Sequence, residues 1–249
     1  MKKINILNIN LHSLKLSELL NNLKKGIIIT PNVDHLVKLQ KDREFYEIYQ
    51  KADWVICDSN ILALGAKFLG NPIKEVIPGS SLLPAYCEFH KNNNDVKIFL
   101  LGAKTGVADL AMNKINFRTG RDVVVGAHSP SFGFEKNETE CERIIDLINK
   151  TDATVLVVGV GAPKQEKWIY KYKDRFQNIK LFMALGATID FEAGRVKRAP
   201  KIFQKTGMEW LYRLLQEPKR LWKRYLIDDL PFFYFILKQK IGIYKNPFQ

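Results

Sequence analysis

The chain alternates short, nearly continuous apolar runs with longer segments in which apolar residues recur every three or four positions. The runs lie at residues 26–30, 54–58, 96–102, 122–128, 154–161 and 180–187. Unbroken Val, Ile and Leu runs are typical of strands buried on both faces, and the segments between them have the period of amphipathic helices. The pattern predicts βαβ units, and so an α/β fold with a Rossmann-like parallel sheet core flanked by helices. Residues 1–14 alternate Asn with Ile and Leu and predict a first strand.

Polar residues lie at the ends of the first two of these runs or just after them. Ligands of open parallel sheets bind outside the carboxyl ends of the strands, so these residues are candidates for a site. Asp58 places a carboxylate where burial raises a pKa toward the range of a general base. The alternative is a cap for a helix that starts at Ser59. Thr30 and Asn32 share the ambiguity, because Thr-Pro-Asn is also a good helix opening.

A glycine-rich loop follows the run at 154–161. Gly159, Gly161 and a proline precede a predicted helix, a setting in which backbone N–H groups can face a phosphate, and Gln165 lies in its first turn. A plain strand-to-helix turn is the alternative. The loop matches neither the dinucleotide-binding fingerprint nor the P-loop, so nothing specific indicates NAD or an NTPase. Asp190, after the last run, has a carboxylate that can accept hydrogen bonds from a ribose or a base edge.

The charge of the chain is concentrated toward one end. Of a net charge of +13 over 249 residues, the segment 195–249 contributes 13 Lys and Arg against 4 Asp and Glu. Such asymmetry indicates an anionic partner, either nucleic acid, a membrane surface or a phosphorylated substrate. We therefore expect an α/β core at 1–194 and a basic, aromatic C-terminal helical appendage at 195–249.

Residues 209–226 predict an amphipathic helix within that appendage. At 100° per residue, Arg213, Arg220 and Arg224 share one face, opposite an apolar and aromatic one. Planar guanidinium groups in a line suit a diphosphate, whereas a solvated basic face is the alternative. Pro218 can split the segment into two helices, and the alignment then requires that they stay roughly coaxial. The aromatic run 231–237, followed by lysines, favours contact with an anionic membrane surface but is too short to span a bilayer.

The remaining composition narrows the class of protein. Three scattered cysteines and four histidines show no metal-ligand spacing, which predicts a reducing cytoplasm and no metal site. The first residues lack the apolar run of a signal peptide. No RNA-binding or helix-turn-helix motif is present, so nucleic acid is not the expected partner.

Several motifs together resemble the WecG/TagA/CpsF family of bacterial glycosyltransferases, over about residues 4–226. They are TPNVDHL, ADWVICDS, GSSLLPA, GVGAPKQEKWI, GATIDFEAGRVKRAP and GMEWLYRLLQEPKRLWKRYL. The resemblance implies an inverting, metal-independent transferase without a cofactor. Its donor would be a UDP-sugar, carrying N-acetylmannosamine or a related hexose or uronic acid, and its acceptor an undecaprenyl-diphosphate-linked sugar. It implies a peripheral protein of the cytoplasmic membrane face in surface polysaccharide or teichoic acid synthesis, and leaves homo-oligomerisation open.

The resemblance also implies roles for individual residues. Asp58 would be the general base, and the catalytic pocket would be completed by Thr30, Asn32 and Gln165. The nucleotide site would contain Gly159, Gly161, Asp190 and Phe134. The diphosphate would be bound by Arg213, Arg220 and Arg224. The chain departs from the family pattern at Ser59, Val76 and Ser81, where members commonly have Gly, Arg and Asp, which bears on the sugars more than on the fold.

Two other functions remain compatible with the residues alone. The first is a basic-tailed protein that binds nucleotides or nucleic acid without catalysis, which salt-dependent binding to nucleic acid would distinguish. The second is an NAD-dependent oxidoreductase, which fits the βαβ pattern but lacks the glycine fingerprint.

Overall fold

The computed structural model of the protein describes residues 1–197, 199–200, 203 and 208–249, and of Arg220 it describes the backbone alone. The strands in this part of the chain are β1 (Lys3–Ile6), β2 (Ile9–His12), β3 (Gly26–Ile29), β4 (Trp54–Val55), β5 (Ile98–Gly102), β6 (Val124–His128), β7 (Val155–Gly159) and β8 (Leu181–Ala184). The helices are α1 (Leu16–Asn22), α2 (Val33–Lys38), α3 (Arg43–Lys51), α4 (Asn60–Phe68), α5 (Gly79–Phe89), α6 (Val107–Thr119), α7 (Glu138–Asn149), α8 (Lys164–Tyr172), α9 (Thr188–Glu192), α10 (Glu209–Gln216), α11 (Pro218–Lys223) and α12 (Pro231–Lys240).

Strands β3 to β8 form one parallel sheet, in the order β4-β3-β8-β7-β5-β6. Each predicted apolar run supplies one of these strands, which confirms the α/β prediction. The order reverses between β5 and β7, because β6 lies beyond β5 on one side and β8 beyond β7 on the other. A reversal of this kind opens a crevice at the carboxyl ends of the strands.

Both faces of the sheet are covered, as continuous apolar strands require. Along β5, Phe99 and Leu101 point into one core with α2, α3, α7, α8 and the β1–β2 hairpin, whereas Ile98 and Leu100 point into another with α1, α5, α6 and α9. Successive side chains of a strand alternate between faces, so each run contributes to both cores. This packing fixes the strand ends relative to one another.

Two segments differ from the sequence prediction. Residues 1–14 form the antiparallel hairpin β1–β2 rather than a single strand, and its turn exposes Leu7 N–H, which donates to Gln239 Oε1 of α12 at 2.7 Å. The predicted helix at 33–52 breaks into α2 and α3. The break occurs because Asp42 caps α3, where its carboxylate accepts a hydrogen bond from Phe45 N at 3.0 Å. Aspartate is strongly preferred at the position that precedes a helix.

The C-terminal segment also differs from a single helix. Pro218 begins α11 directly after α10 ends, and α11 continues into a π-helical turn at Arg224–Asp228, because proline has no N–H to continue the first helix. Beyond it, α12 packs on α2 and α4, with Phe232 and Ile236 buried in the core. The described helices include none long and apolar enough to cross a bilayer.

Candidate active site

The carboxyl ends of β3, β4, β7 and β8 bring most of the predicted site residues to one edge of the sheet. Thr30 and Asn32 follow β3, Asp58 follows β4, and the glycine loops follow β7 and β8. Backbone contacts join neighbouring ends. Asp58 N donates to Pro31 O at 3.0 Å.

Asp58 does not cap α4. The cap is Ser59, whose hydroxyl accepts from Leu62 N at 3.4 Å, so the alternative interpretation of Asp58 from sequence is wrong. The Asp58 carboxylate instead accepts from Gly79 N, the first residue of α5, at 2.9 Å. It also accepts a hydrogen bond from the Asn32 side chain. The carboxylate is therefore held at a helix N-terminus, where the helix dipole favours negative charge.

The pKa of Asp58 is nevertheless raised, to about 7, chiefly because burial removes water from the carboxyl. The Gly79 hydrogen bond, the positive charge of Arg213 and the Asn32 hydrogen bond each oppose this rise, and the negative charge of Glu209 adds to it. The residue as a whole is half-buried. A carboxyl of this kind exchanges its proton near neutral pH, as a general base must.

Asn32 links Asp58 to the C-terminal segment. Its side-chain oxygen accepts from Arg224 Nη2 at 3.1 Å and from His35 N at 3.4 Å, so it caps α2 as well. Arg224 Nη2 also lies 3.5 Å from the buried Asp34 carboxylate. The guanidinium thus lies at the same strand ends as Asp58, although the tail forms two separate helices.

Arg213 approaches the cleft from α10. Its guanidinium stacks on the Phe191 ring of α9, 5.6 Å from the centroid, and its charge acts on Asp58. The Nε atoms of Arg213 and Arg224 are both buried without a hydrogen-bond partner among the described residues. Both groups therefore retain donors for an anion. The third predicted arginine, Arg220, has a side chain outside the described residues.

Gln165 connects the two glycine loops rather than facing open solvent. Its Oε1 accepts from Gly161 N and from Gly186 N, both at 3.1 Å, and its side chain is buried. The loops approach so closely that a Cβ on Gly159 would lie 2.6 Å from Gly186 O. Only glycine fits at such a contact, so the close packing of the two strand ends accounts for a glycine at position 159.

Glu166 is a site residue that the sequence reasoning missed. Its Oε1 accepts from Gln165 Nε2 at 2.8 Å, and its Oε2 is buried without a partner in the described part of the chain. Burial raises the Glu166 pKa to about 7. The sequence feature that could have indicated Glu166 was the Gln-Glu pair in the first turn of α8. A glutamate in that position usually points to solvent, where it interacts favourably with the helix dipole, so it was not taken as a site residue.

Three predicted site residues remain, namely Thr30, Asp190 and Phe134. Thr30 is buried at the end of β3, and the Asp190 carbonyl accepts from Arg195 N at 3.0 Å. Phe134 lies in the core, its ring 5.8 Å from that of Trp168 and its side chain 2% exposed. Its role at the nucleotide stays a prediction. Among the described residues, no cluster of three His, Cys, Asp or Glu side chains is arranged to hold a metal ion.

Comparison with known proteins adds to this geometry. The model of the glycosyl transferase WecG/TagA/CpsF family matches residues 4–246. The chain belongs to this family. It is a glycosyltransferase built on a Rossmann-like sheet, and the match extends through α12, beyond the motifs that carried the sequence resemblance.

Two curated relatives in the family come from Staphylococcus aureus. The protein of strain MRSA252 is 29% identical and that of strain MW2 is 28% identical, each over 98% of this chain and 95% of the relative. Both are named N-acetylglucosaminyldiphosphoundecaprenol N-acetyl-beta-D-mannosaminyltransferase. The similarity therefore includes the glycine loops, the Asp58 region and the C-terminal helices alike.

Proposed function

We propose that the protein transfers N-acetylmannosamine or a closely related hexose from a UDP donor to an undecaprenyl-diphosphate-linked N-acetylglucosamine. The observation that carries the proposal is Asp58, a carboxyl of neutral pKa at the end of a strand with two arginines in the same cleft. The names of the relatives support the acceptor and the sugar.

The proposed step is a single displacement with inversion at the donor sugar. Asp58 takes the proton of the acceptor hydroxyl, the hydroxyl oxygen forms a bond to the anomeric carbon, and the bond from that carbon to the diphosphate breaks. UDP departs with the bonding electron pair. The guanidinium groups of Arg213 and Arg224 have unused donors for the negative charge that develops on the leaving diphosphate.

We further propose that the C-terminal segment rests on an anionic membrane surface. Eleven of the eighteen exposed large apolar side chains in the described chain lie between residues 208 and 243, among them Trp222, Phe233 and Leu237. Lysines accompany them, with Lys238 Nζ 4.5 Å from the Tyr234 ring centroid. Exposed aromatic and aliphatic side chains beside lysines suit the interface of a bilayer with anionic lipids, where a lipid-linked acceptor resides.

The test is to incubate the purified protein with a panel of UDP-sugars and undecaprenyl- or shorter polyprenyl-diphosphate-linked N-acetylglucosamine, and to weigh the products by mass spectrometry. We expect one added N-acetylhexosamine or related hexose with wild-type protein. The Asp58→Asn variant should give almost none at an unchanged melting temperature. Lack of any product across the panel, with tight and salt-dependent nucleic acid binding, would contradict the proposal and favour a non-catalytic binding protein.

A further inference from the structure

The loop between β6 and α7 presents one aromatic side chain to solvent. Phe132 is 100% exposed, whereas Phe134, two positions on, is 2% exposed. The residues around Phe132 are anchored. Ser131 donates from its N and its Oγ to the two carboxylate oxygens of Glu140, at 2.8 and 2.6 Å. The exposed ring is therefore carried by a loop that hydrogen bonds hold in place.

The same loop is attached to the neighbouring strand end. Ser129 Oγ donates to Gly102 O, at the last residue of β5, at 3.2 Å and to Lys104 O, two residues beyond it, at 2.9 Å. Strand β5 flanks the reversal of strand order, where open parallel sheets bind their ligands. Phe132 thus stands at the rim of the crevice, on the edge of the sheet remote from Asp58.

A lysine joins this ring to the glycine loop on the other side of the crevice. Lys164 begins α8, close in sequence to Gly161, and its Nζ lies 5.3 Å from the Phe132 ring centroid. A cation over an aromatic face is a favourable contact, and it brings an ammonium group and a free ring surface together. The chain thus offers one group for a planar base and one for a phosphate at the same rim.

We propose that Phe132 and Lys164 form the nucleobase end of the donor site, with the base stacked on Phe132 and the Lys164 ammonium beside the phosphates. The inference rests on the proposed function and replaces Phe134 as the aromatic residue of that site. Stacking on an exposed ring suits any planar base, because each has a π face.

The dimensions of the sheet agree with this placement. From β6 to β4 the strand order contains five neighbouring pairs, and at about 4.8 Å per pair the strand ends span roughly 24 Å. A nucleotide at the Phe132 end leaves the glycine loops for the diphosphate and the Asp58 end for the two sugars. Donor and acceptor can then lie along one line of strand ends.

The experiment measures the binding of UDP and of inorganic diphosphate by calorimetry. Phe132→Ala should weaken UDP about tenfold, as expected for the loss of one base–aromatic stack, and leave diphosphate binding unchanged. Phe132→Trp should bind UDP at least as tightly as wild type. Lys164→Gln should weaken both ligands. The matched control is Phe117→Ala, because Phe117 is 90% exposed near the end of α6, away from the carboxyl ends of the strands.

The outcomes separate this inference from the proposed function. If wild-type protein binds UDP and Phe132→Ala binds it equally well, the inference is wrong while the donor assignment stands. If wild-type protein fails to bind UDP, the proposed function fails and the inference fails with it. An equal loss in Phe132→Ala and Phe117→Ala would assign the effect to general surface change and overturn the inference.

Discussion

At the scale of single residues, three carboxyl groups combine burial with a pKa near neutrality. Asp58, Glu166 and Asp229 all have a pKa of about 7, and burial is the main cause for each. The neighbours of Asp58 act in opposite directions, since Arg213 lowers its pKa and Glu209 raises it. The pKa of Asp58 is therefore set by a balance between burial, the Gly79 hydrogen bond and these two nearby charges.

We predict that the rate of sugar transfer, as kcat/KM, rises with pH by about tenfold per unit up to about pH 7 and then levels off, because only ionised Asp58 can accept the proton. Glu209→Gln should move the midpoint of this profile to lower pH, and Arg213→Leu should move it to higher pH. Both variants are compared by their midpoints rather than by their maximal rates. If the two midpoints move in the same direction, or if kcat/KM does not change with pH, Asp58 does not have the proposed role.

Asp229 gives a separate prediction about stability. It is 8% exposed, with Oδ1 buried and without a partner among the described residues. Because its folded pKa is raised above its unfolded value, ionisation from about pH 4 to pH 7 costs the folded state free energy. Asp229→Asn should therefore match wild type near pH 3.5 and exceed it at pH 8, by at most about 4 kcal/mol at about 1.4 kcal/mol per pKa unit. Urea unfolding at the two pH values measures this, and an equal difference at both would contradict it.

At the scale of elements, the apolar runs predicted the sheet well, because burial on both faces leaves a strong signal in each run. Breaks in helices were predicted less well. The end of α2 and the start of α3 depend on the Asp42 cap, which is one residue in a long apolar pattern. The sequence did not decide whether Pro218 kinks one helix or begins a second one, because proline occurs in both positions.

The clamp between the glycine loops gives a prediction at this scale. Gln165→Leu removes the acceptor of Gly161 N and Gly186 N and the donor to Glu166. We expect a loss of about 1–3 kcal/mol in unfolding free energy and a clear rise in the donor KM. Glu166→Gln keeps an oxygen that can accept from Gln165 and should stay close to wild type. The exposed Gln177→Leu is the control, and an unchanged donor KM in Gln165→Leu would show that the clamp does not shape the site.

At the scale of the whole molecule, the C-terminal segment contributes both to the candidate site and to the core. Residues of α10 and of the turn after α11 bring arginines to the cleft, whereas α12 fills a groove beside Gly65 of α4. The sequence predicted the basic face but not the packing of α12 against α2 and α4. Which residues of 231–237 are buried depends on the groove that these two helices form, and the sequence does not show that groove. It did not single out Glu166 for a related reason, since strand order and side-chain direction decide which polar residues meet.

Adjacent phenylalanines of α12 separate the two functions of this segment. Phe232 is 1% exposed and packs against α4, whereas Phe233 is 54% exposed. Phe232→Ala should lower the unfolding free energy by about 3–5 kcal/mol. Phe233→Ala should leave stability nearly unchanged and weaken co-sedimentation with vesicles that contain an anionic phospholipid. Equal vesicle binding by Phe233→Ala and wild type would remove the membrane role proposed for this face.

The hydrogen bond between Leu7 and Gln239 joins residues 232 positions apart. The β1–β2 hairpin and the groove on α4 both precede α12 in the sequence, so a growing chain leaves their apolar surfaces uncovered until α12 has been made. The parallel sheet can form before this closure, since its strands end at Ala184. A chain that stops before α12 would therefore leave these apolar surfaces open to aggregation and to chaperones.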